Sequence, residues 1–300
     1  MNGNPGTYTD PMAVLHAAGA PLTTSGYTLL IADDPTQVAA AQRLRHEVFA
    51  TELGATLLPG AAGLDVDPFD AYCDHLIVRE DSTGEVVGTY RLLPPGRTNR
   101  RYAEDEFDLG ALDPLRDDLV EAGRSCVHPD HRSGAVINLM WAGITRYLHL
   151  RGSRWLGGCA SVPVDDGGRT VAGVWAQAQA RHLSPPPLRV RPLRPWFANP
   201  AAALAPPAGL APAAAGLAPA AAPVPAAGLA PAAAAASGAA EPGMRVAVPP
   251  LLRGYLRLGA WICGEPSYDP DFGCADFYVL FCLDRMNPRY LRHFLGGAER

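Results

Sequence analysis

Between Leu119 and Leu150 the spacing of apolar residues changes from that of a strand to that of a helix. Leu119, Val120, Cys126 and Val127 supply the apolar character of a buried strand, which Pro129 ends. After a short polar turn, Val136, Met140, Ile144 and Tyr147 recur on one face of a long helix, with Ser133 as its expected N-cap. Upstream, Tyr27 to Ala32 reads as a first strand. Asp34-Pro35-Thr36-Gln37 then has the form of a helix start: an acidic cap, proline at the first position and glutamine at the third. That helix is expected to run to about Leu53. His75 to Arg79 and Glu85 to Leu93 form a hairpin across the turn residues Asp81 to Gly84. Further elements are a short helix within 102–115, a strand over 154–161, a small-residue helix over 166–182 and a short strand over 188–193. A helix over 249–262, a strand over 275–283 and an amphipathic helix over 287–295 complete the chain. This order predicts an α/β domain with a mixed central sheet and helices on both faces.

Between about 199 and 243 the pattern stops. GLAPAA occurs at Gly209, Gly216 and Gly228 within alanine and proline. Frequent proline forbids a continuous helix or membrane span, and the scarcity of large apolar groups, four leucines and one valine, argues against a core. The stretch is expected to be a disordered Ala/Pro-rich insertion in a single domain formed by 26–198 and 244–300, with 1–25 a loose tail. A chain of 300 residues with 48% hydrophobic content can supply such a domain with a sizeable core. The net charge of −5 argues against a nucleic-acid binder, and all basic residues are arginine. With no bilayer-length apolar run and no leader-like N-terminus, a cytoplasmic location is expected. The six cysteines show no paired metal spacing, so no metal site is expected.

Charged residues in apolar patterns mark the candidate chemistry. Arg45 and Glu52 fall on the inward arc of the first helix, either as a structural ion pair or as the lining of a polar pocket. Asp65, Asp67, Asp70 and Asp74 form an acidic loop, either solvated or holding a cation, without the ligand pattern of an EF-hand. Arg91 shares a strand face with Val87, Thr89 and Leu93. Glu121 and Arg124 lie on opposite faces of their strand unless a bulge intervenes. Where the central strand turns into its helix, free N–H groups would attract an anion, with Arg132 adding charge. Ser125, His128 and Asp130 lie too close together for a nucleophilic triad, and Cys126 is expected to pack in the core.

GRSCVHPDHRSGAV (123–136), WAGITRYL (141–148), GCAS (158–161) and the run from Pro249 to Phe294 resemble the GNAT-related ornithine N-acyltransferases. RHEVF (45–49), the acidic loop, GTYRLLPP (88–95) and Glu121 are more distantly similar to acyl-homoserine-lactone synthases. The resemblance implies a GNAT-like fold. It also implies transfer of a (3-hydroxy)fatty acyl group from a phosphopantetheine thioester to the α-amine of L-ornithine, giving lyso-ornithine lipid. Cys126, Val127, Arg132, Ser133, Gly134 and Ala135 would hold the phosphopantetheine arm. The acetyltransferase glycine pattern is reduced here to Arg132-Ser133-Gly134-Ala135, which favours acyl carrier protein over acyl-CoA as donor; no resident cofactor is expected. Amide formation needs a neutral amine, hence a base: Glu121 first, then Asp70 and Asp74. Arg45 or Arg91 would pair with the acceptor's carboxylate, Glu52 and Arg124 would add to the acceptor site, and the acidic loop would hold the distal ammonium. Arginines in the basic loop 97–101 and at 253 and 257 are candidate contacts for the carrier protein. Peripheral contact with the inner face of the membrane, through the C-terminal helix and Trp261, suits a lipid product. Synthesis of other N-acyl amino acids or of acyl-homoserine lactones, and a non-catalytic acyl-carrier or lipid-binding module, are the alternative readings.

Overall fold

The computed structural model describes residues 22–24, 26–60, 62–132, 134–196 and 247–295. The loose tail up to residue 21, the Ala/Pro insertion and the Ser133 cap lie outside the described residues. The strands are β1 (Leu22–Thr24), β2 (Tyr27–Ile31), β3 (Asp74–Glu80), β4 (Val86–Leu93), β5 (Phe107–Asp108) and β6 (Leu119–Val127), followed by β7 (Trp155–Pro163), β8 (Arg191–Pro192), β9 (Trp261–Ile262), β10 (Ser267–Asp269) and β11 (Cys274–Cys282). The α-helices are α1 (Pro35–His46), α2 (Gly134–Arg151), α3 (Arg169–Gln177), α4 (Pro250–Leu258) and α5 (Pro288–Leu295). The large sheet runs β1-β2-β3-β4-β6-β7-β11-β10, with β9 paired to β11. Its neighbours are antiparallel except β6 and β7, which are parallel.

That parallel pair opens. Leu119 faces Trp155, Val120 faces Leu156 and Glu121 faces Gly157, and there the pairing stops. β6 stays bonded to β4 as far as Val127, while β7 stays bonded to β11 as far as Pro163. The strands therefore part, and Gly123, Arg124, Ser125 and Val127 are partly exposed although β6 lies mid-sheet. Just past the last pair, Gly158 lies so close to Ala122 that an added Cβ would stand 2.0 Å from its carbonyl oxygen.

One sheet face carries the main core. Leu76, Val78, Tyr90, Leu92, Val120 and Ala122 pack there against residues of α2, α3, α4 and α5. On the other face Leu44 and Val48 cover Cys126, and a separate cluster surrounds Phe107, Leu112, Leu119 and Tyr278. The expected mixed sheet with helices on both faces is what forms.

Asp34 caps α1 as its sequence predicts, accepting from the Thr36 and Gln37 N–H groups at 2.7 and 2.9 Å. The helix does not continue regularly to Leu53, however. From Glu47 to Glu52 it is a π-helix, and the Leu53 N–H reaches back to the Val48 carbonyl at 3.0 Å. The wider turn breaks the 3.6-residue count. Arg45 is fully buried, whereas Glu52 is turned outward. In β4 the extra residue opposite β3 is Val87, which joins the main core instead of the Thr89 and Arg91 face. The strand expected over 188–193 shrinks to Arg191–Pro192. The helix expected to reach Ile262 ends at Leu258, where Gly259 takes a positive φ of 99°. α5 turns Phe294 into the core with Leu291 packed against it, and Arg285 sits 3.9 Å over the Trp261 ring. Phe294 and Trp261 are thus engaged within the protein, while Tyr290 and the basic residues of α5 stay exposed. Among the described residues no helix is long and apolar enough to cross a bilayer.

Candidate active site

The acidic loop folds back onto the open end of β6 and meets three arginines. Arg45 donates to both Asp70 oxygens at 3.1 and 2.7 Å, and its Nε lies 2.8 Å from Asp65 Oδ2. Arg91 pairs with Asp67 and, at 3.0 Å, with Asp70. Arg124 reaches Asp67 at 3.2 Å and Asp65 at 3.6 Å. Three cations thus neutralise three buried carboxylates. Burial pushes Asp67 upward, but Arg91 and Arg124 outweigh it and hold the carboxyl below its ordinary range. Burial acts likewise on Asp70, where Arg45, Arg91 and Gln42 hold the carboxyl still further down.

Arg124 reaches this network through a bulge. Gly123 pairs with Arg91 and Cys126 with Thr89, so β6 carries one residue more than β4 between them. Arg124 itself adopts a φ of +50°, in the left-handed region. The extra residue brings the guanidinium to the Arg91 side of the sheet. Tyr102 lies between the two arginines, each 5.2 Å from its ring centroid, and Phe272 flanks Arg124 at 5.1 Å.

Glu121 stands at the last paired position before the strands part. It is 5% exposed, and its two oxygens accept from the N–H groups of Tyr102 at 2.7 Å and Ala103 at 3.0 Å. Burial pushes its carboxyl up, against the opposing pull of these bonds and of Arg101 and Arg91. A carboxylate on β6 thereby holds the turn that carries Tyr102. Beside it a cavity of about 20 Å³, large enough for one water, is lined by Leu93, Thr98, Arg101 and Leu119 among others.

Several sequence expectations change here. Asp70 is a poor base, because its held-down carboxyl has little affinity for a proton. Asp74 is on the other sheet face, accepting from the Tyr147 hydroxyl at 2.5 Å and pairing with Arg97 at 2.9 Å. Arg45 is wholly engaged as a clamp on the loop, so it does not present a free fork to a substrate carboxylate. With Asp65, Asp67 and Asp70 all paired, the loop has no spare anion for a distal ammonium. Glu52 is exposed and forks Arg132 at 2.7 and 2.5 Å.

Of the expected pantetheine residues, Cys126 is buried against α1, with its thiol pushed up to about 12 by burial. Val127 accepts from Arg132 Nε at 3.1 Å. Gly134 and Ala135 open α2, as predicted. Arg132 is therefore paired with Glu52 beside the start of that helix. In the basic loop Arg97 and Arg100 are paired with Asp74 and Asp105, and Arg101 donates to the Arg116 carbonyl at 3.1 Å. Arg253 and Arg257 are exposed on α4.

Sequence reasoning missed Tyr102, Phe272 and a second set of acids, Glu106, Asp269 and Asp276, all three buried. Asp269, Cys274 and Asp276 have ligand atoms within 4.8 Å of one another. An aspartate in the apolar run of β11 was the available signal.

Comparison with known proteins agrees with this architecture. The family model described as Acetyltransferase (GNAT) domain matches residues 44–142. The L-ornithine N(alpha)-acyltransferase of Rhizobium meliloti is 30% identical over 288 residues, covering 90% of this chain and 84% of that protein. The protein of the same name from Rhodobacter capsulatus is 37% identical over 187 residues, covering 58% and 70%. A solved CoA-dependent acyl-homoserine lactone synthase, BjaI, with SAM and isopentyl-CoA, aligns with a TM-score of 0.47 at 14% identity, over 88% of this chain and 83% of that one. The chain is an acyltransferase and belongs to the family of L-ornithine N(alpha)-acyltransferases.

Proposed function

We propose that this protein transfers a fatty acyl group, including 3-hydroxylated ones, from the thioester of acyl carrier protein to the α-amine of L-ornithine, producing lyso-ornithine lipid. The observation that carries this reading is a buried Glu121, its proton affinity raised by burial, where β6 and β7 part, beside the Arg91–Arg124 wall. The names of the relatives supply the acceptor.

In this mechanism the acyl-phosphopantetheine arm enters the gap between β6 and β7. Arg124 and Arg91 orient the acceptor's carboxylate, exchanging part of their pairing with Asp67 for it. An ammonium has no lone pair, so Glu121 accepts its proton, directly or through one water. The neutral nitrogen then attacks the thioester carbon. Backbone N–H groups on the unpaired edge of β6 suit the oxyanion that forms. As the intermediate collapses, the C–S bond breaks and the amide remains. The thiolate, a good leaving group because a thiol's pKa is about 8.5, takes up the second proton shed by the attacking nitrogen as it departs. The water-sized cavity beside Glu121 offers its proton a path outward.

The carrier protein is favoured as donor by the exposed Arg253 and Arg257, which suit an acidic partner, and by the pairing of Arg132 with Glu52. The test incubates the protein with ornithine and with either acyl carrier protein or CoA carrying the same acyl chain. Mass detection of N-acylornithine, faster from the carrier protein, is the expected outcome. Glu121→Gln should fold normally and lose about 10²- to 10⁴-fold in turnover. Near-normal turnover by this variant would remove Glu121 as the base, and no amide from either donor would end the proposal.

A further inference from the structure

Neutralisation of the acidic loop leaves the second amine of a diamino acid to be recognised elsewhere, and another group of carboxylates has unspent charge. Glu106 and Asp276 are only 4% and 2% exposed. Oε2 of Glu106 and Oδ1 of Asp276 are buried and have no hydrogen-bond partner among the described residues. The charged or titratable groups around Glu106 include Asp276, Asp269, Cys159, Cys274 and Tyr102; Asp276 also meets the Ser161 hydroxyl and the Cys274 thiol. Asp269 has one oxygen committed to the Asp271 and Phe272 N–H groups, at 2.8 and 3.2 Å. Buried carboxylates in mutual contact need a shared proton or a bound cation. Burial, and next the Asp276 charge, push Glu106 up to about 9, so the unliganded pair holds a proton at neutral pH.

Their position in the fold relates them to the gap. Cys159 and Ser161 lie on β7 beyond the point where it leaves β6, and Ser161 is exposed. Phe272, whose N–H group goes to Asp269, stands 5.1 Å from the Arg124 guanidinium. Tyr102, held between Arg91 and Arg124, begins the 3₁₀ turn that leads directly into Glu106. The arginine wall and the acid pocket thus border the gap through shared residues, and Glu121 stands at its apex.

We propose that Glu106 and Asp276, with Asp269 beside them, form the subsite for the side-chain ammonium of the acceptor, selecting a diamino acid over an apolar one of equal length. This rests on the amino-acid acceptor proposed above. The ammonium donates N–H groups to the two unpartnered oxygens and displaces the proton they share. One side of the gap then reads the carboxylate and the other the distal cation.

The test compares ornithine with norvaline, which has the same carbon chain but no terminal amine, in the wild-type protein and in Glu106→Gln and Asp276→Asn. Expected is a preference for ornithine of about 10- to 100-fold in kcat/KM, from one charge-assisted contact set, collapsing toward unity in both variants. Without ligand, each variant should melt no lower than wild type, because the cost of burying an ionisable carboxyl is removed. The stabilising thermal shift given by ornithine should shrink in both. Calorimetry in buffers of different ionisation enthalpy should detect proton release with ornithine but not with norvaline. An unchanged preference in two folded variants overturns the subsite while leaving the acyltransferase reading intact. A divalent metal that co-purifies with wild type and is lost from Asp276→Asn also overturns it. If no amino acid is acylated, the proposed reaction fails, yet an ornithine-specific thermal shift lost in both variants would still support the pocket.

Discussion

Arg45 shows how a charge can be essential to a site without touching a ligand. It is fully buried and spends its guanidinium on Asp65 and Asp70. Arg45→Met would leave those carboxylates in the interior without their main partner, at a cost of about 3–5 kcal/mol measured by urea unfolding. The pH dependence divides by the sign of the shift. Asp67 and Asp70 have lowered folded values, so their contribution is present above the ordinary 3.8 and drains away as pH falls toward those values. Glu106 has a raised value. With Asp276, Asp269 and Cys159 facing it, its contribution is full below the ordinary 4.5 and is lost as pH rises to about 9. The stability of Glu106→Gln relative to wild type should therefore climb over that interval and level off above it, as thermal melts across pH would read. A flat difference would show that Glu106 titrates normally.

The elements were largely legible in the chain because their causes are local. Asp34, Pro35 and Gln37 specify the start of α1 without help from the rest of the molecule. The π-turn at Glu47–Glu52 was not legible, since a fixed helical period cannot register an inserted residue, and Glu52 was assigned to the wrong face for that reason. The β6 bulge is the same kind of event in a strand. One additional residue puts Arg124 beside Arg91, where plain alternation would set Glu121 and Arg124 on opposite faces. The close approach of β7 to β6 just past Glu121 depends on Gly158, whose missing side chain admits the Ala122 carbonyl. Gly158→Ala should cost about 1–3 kcal/mol and, by moving β7 from β6 at the Glu121 apex, reduce turnover. Chemical denaturation and steady-state rates would register both effects, and a variant normal in each would show that the strands approach less closely than here.

For the whole molecule, the two sheet faces divide the work. One buries the main core beneath α2, α3, α4 and α5, and the other carries the network of Arg45, Arg91 and Arg124 with its aspartates. The buried charges on that face therefore come from segments far apart in sequence, from α1 through the acidic loop to β11. Residues 199–243 are mostly alanine and proline, with four leucines and one valine as their larger apolar groups, and lengthening a loop from ten to forty residues costs only about 1–1.5 kcal/mol. Deleting 203–240 is thus expected to leave activity largely intact. A collapse in soluble yield or rate would assign that stretch a role. The exposed pair Arg253 and Arg257 makes a distinct prediction. Charge reversal at both positions should raise KM for acyl carrier protein severalfold, more at low salt, with much less effect on acyl-CoA. Equal effects on the two donors would place the carrier elsewhere.

The sequence by itself determined the alternation of strands and helices, the cap of α1 and the strand–turn–helix at the centre, since each rests on neighbouring residues and their periodicity. Only the tertiary structure decided which charges are free. Whether an aspartate is a base, a cation site or half of an ion pair depends on what approaches it from elsewhere in the chain. Asp70 was consumed by Arg45 and Arg91, whereas Glu106 and Asp276 met each other with no cation between them.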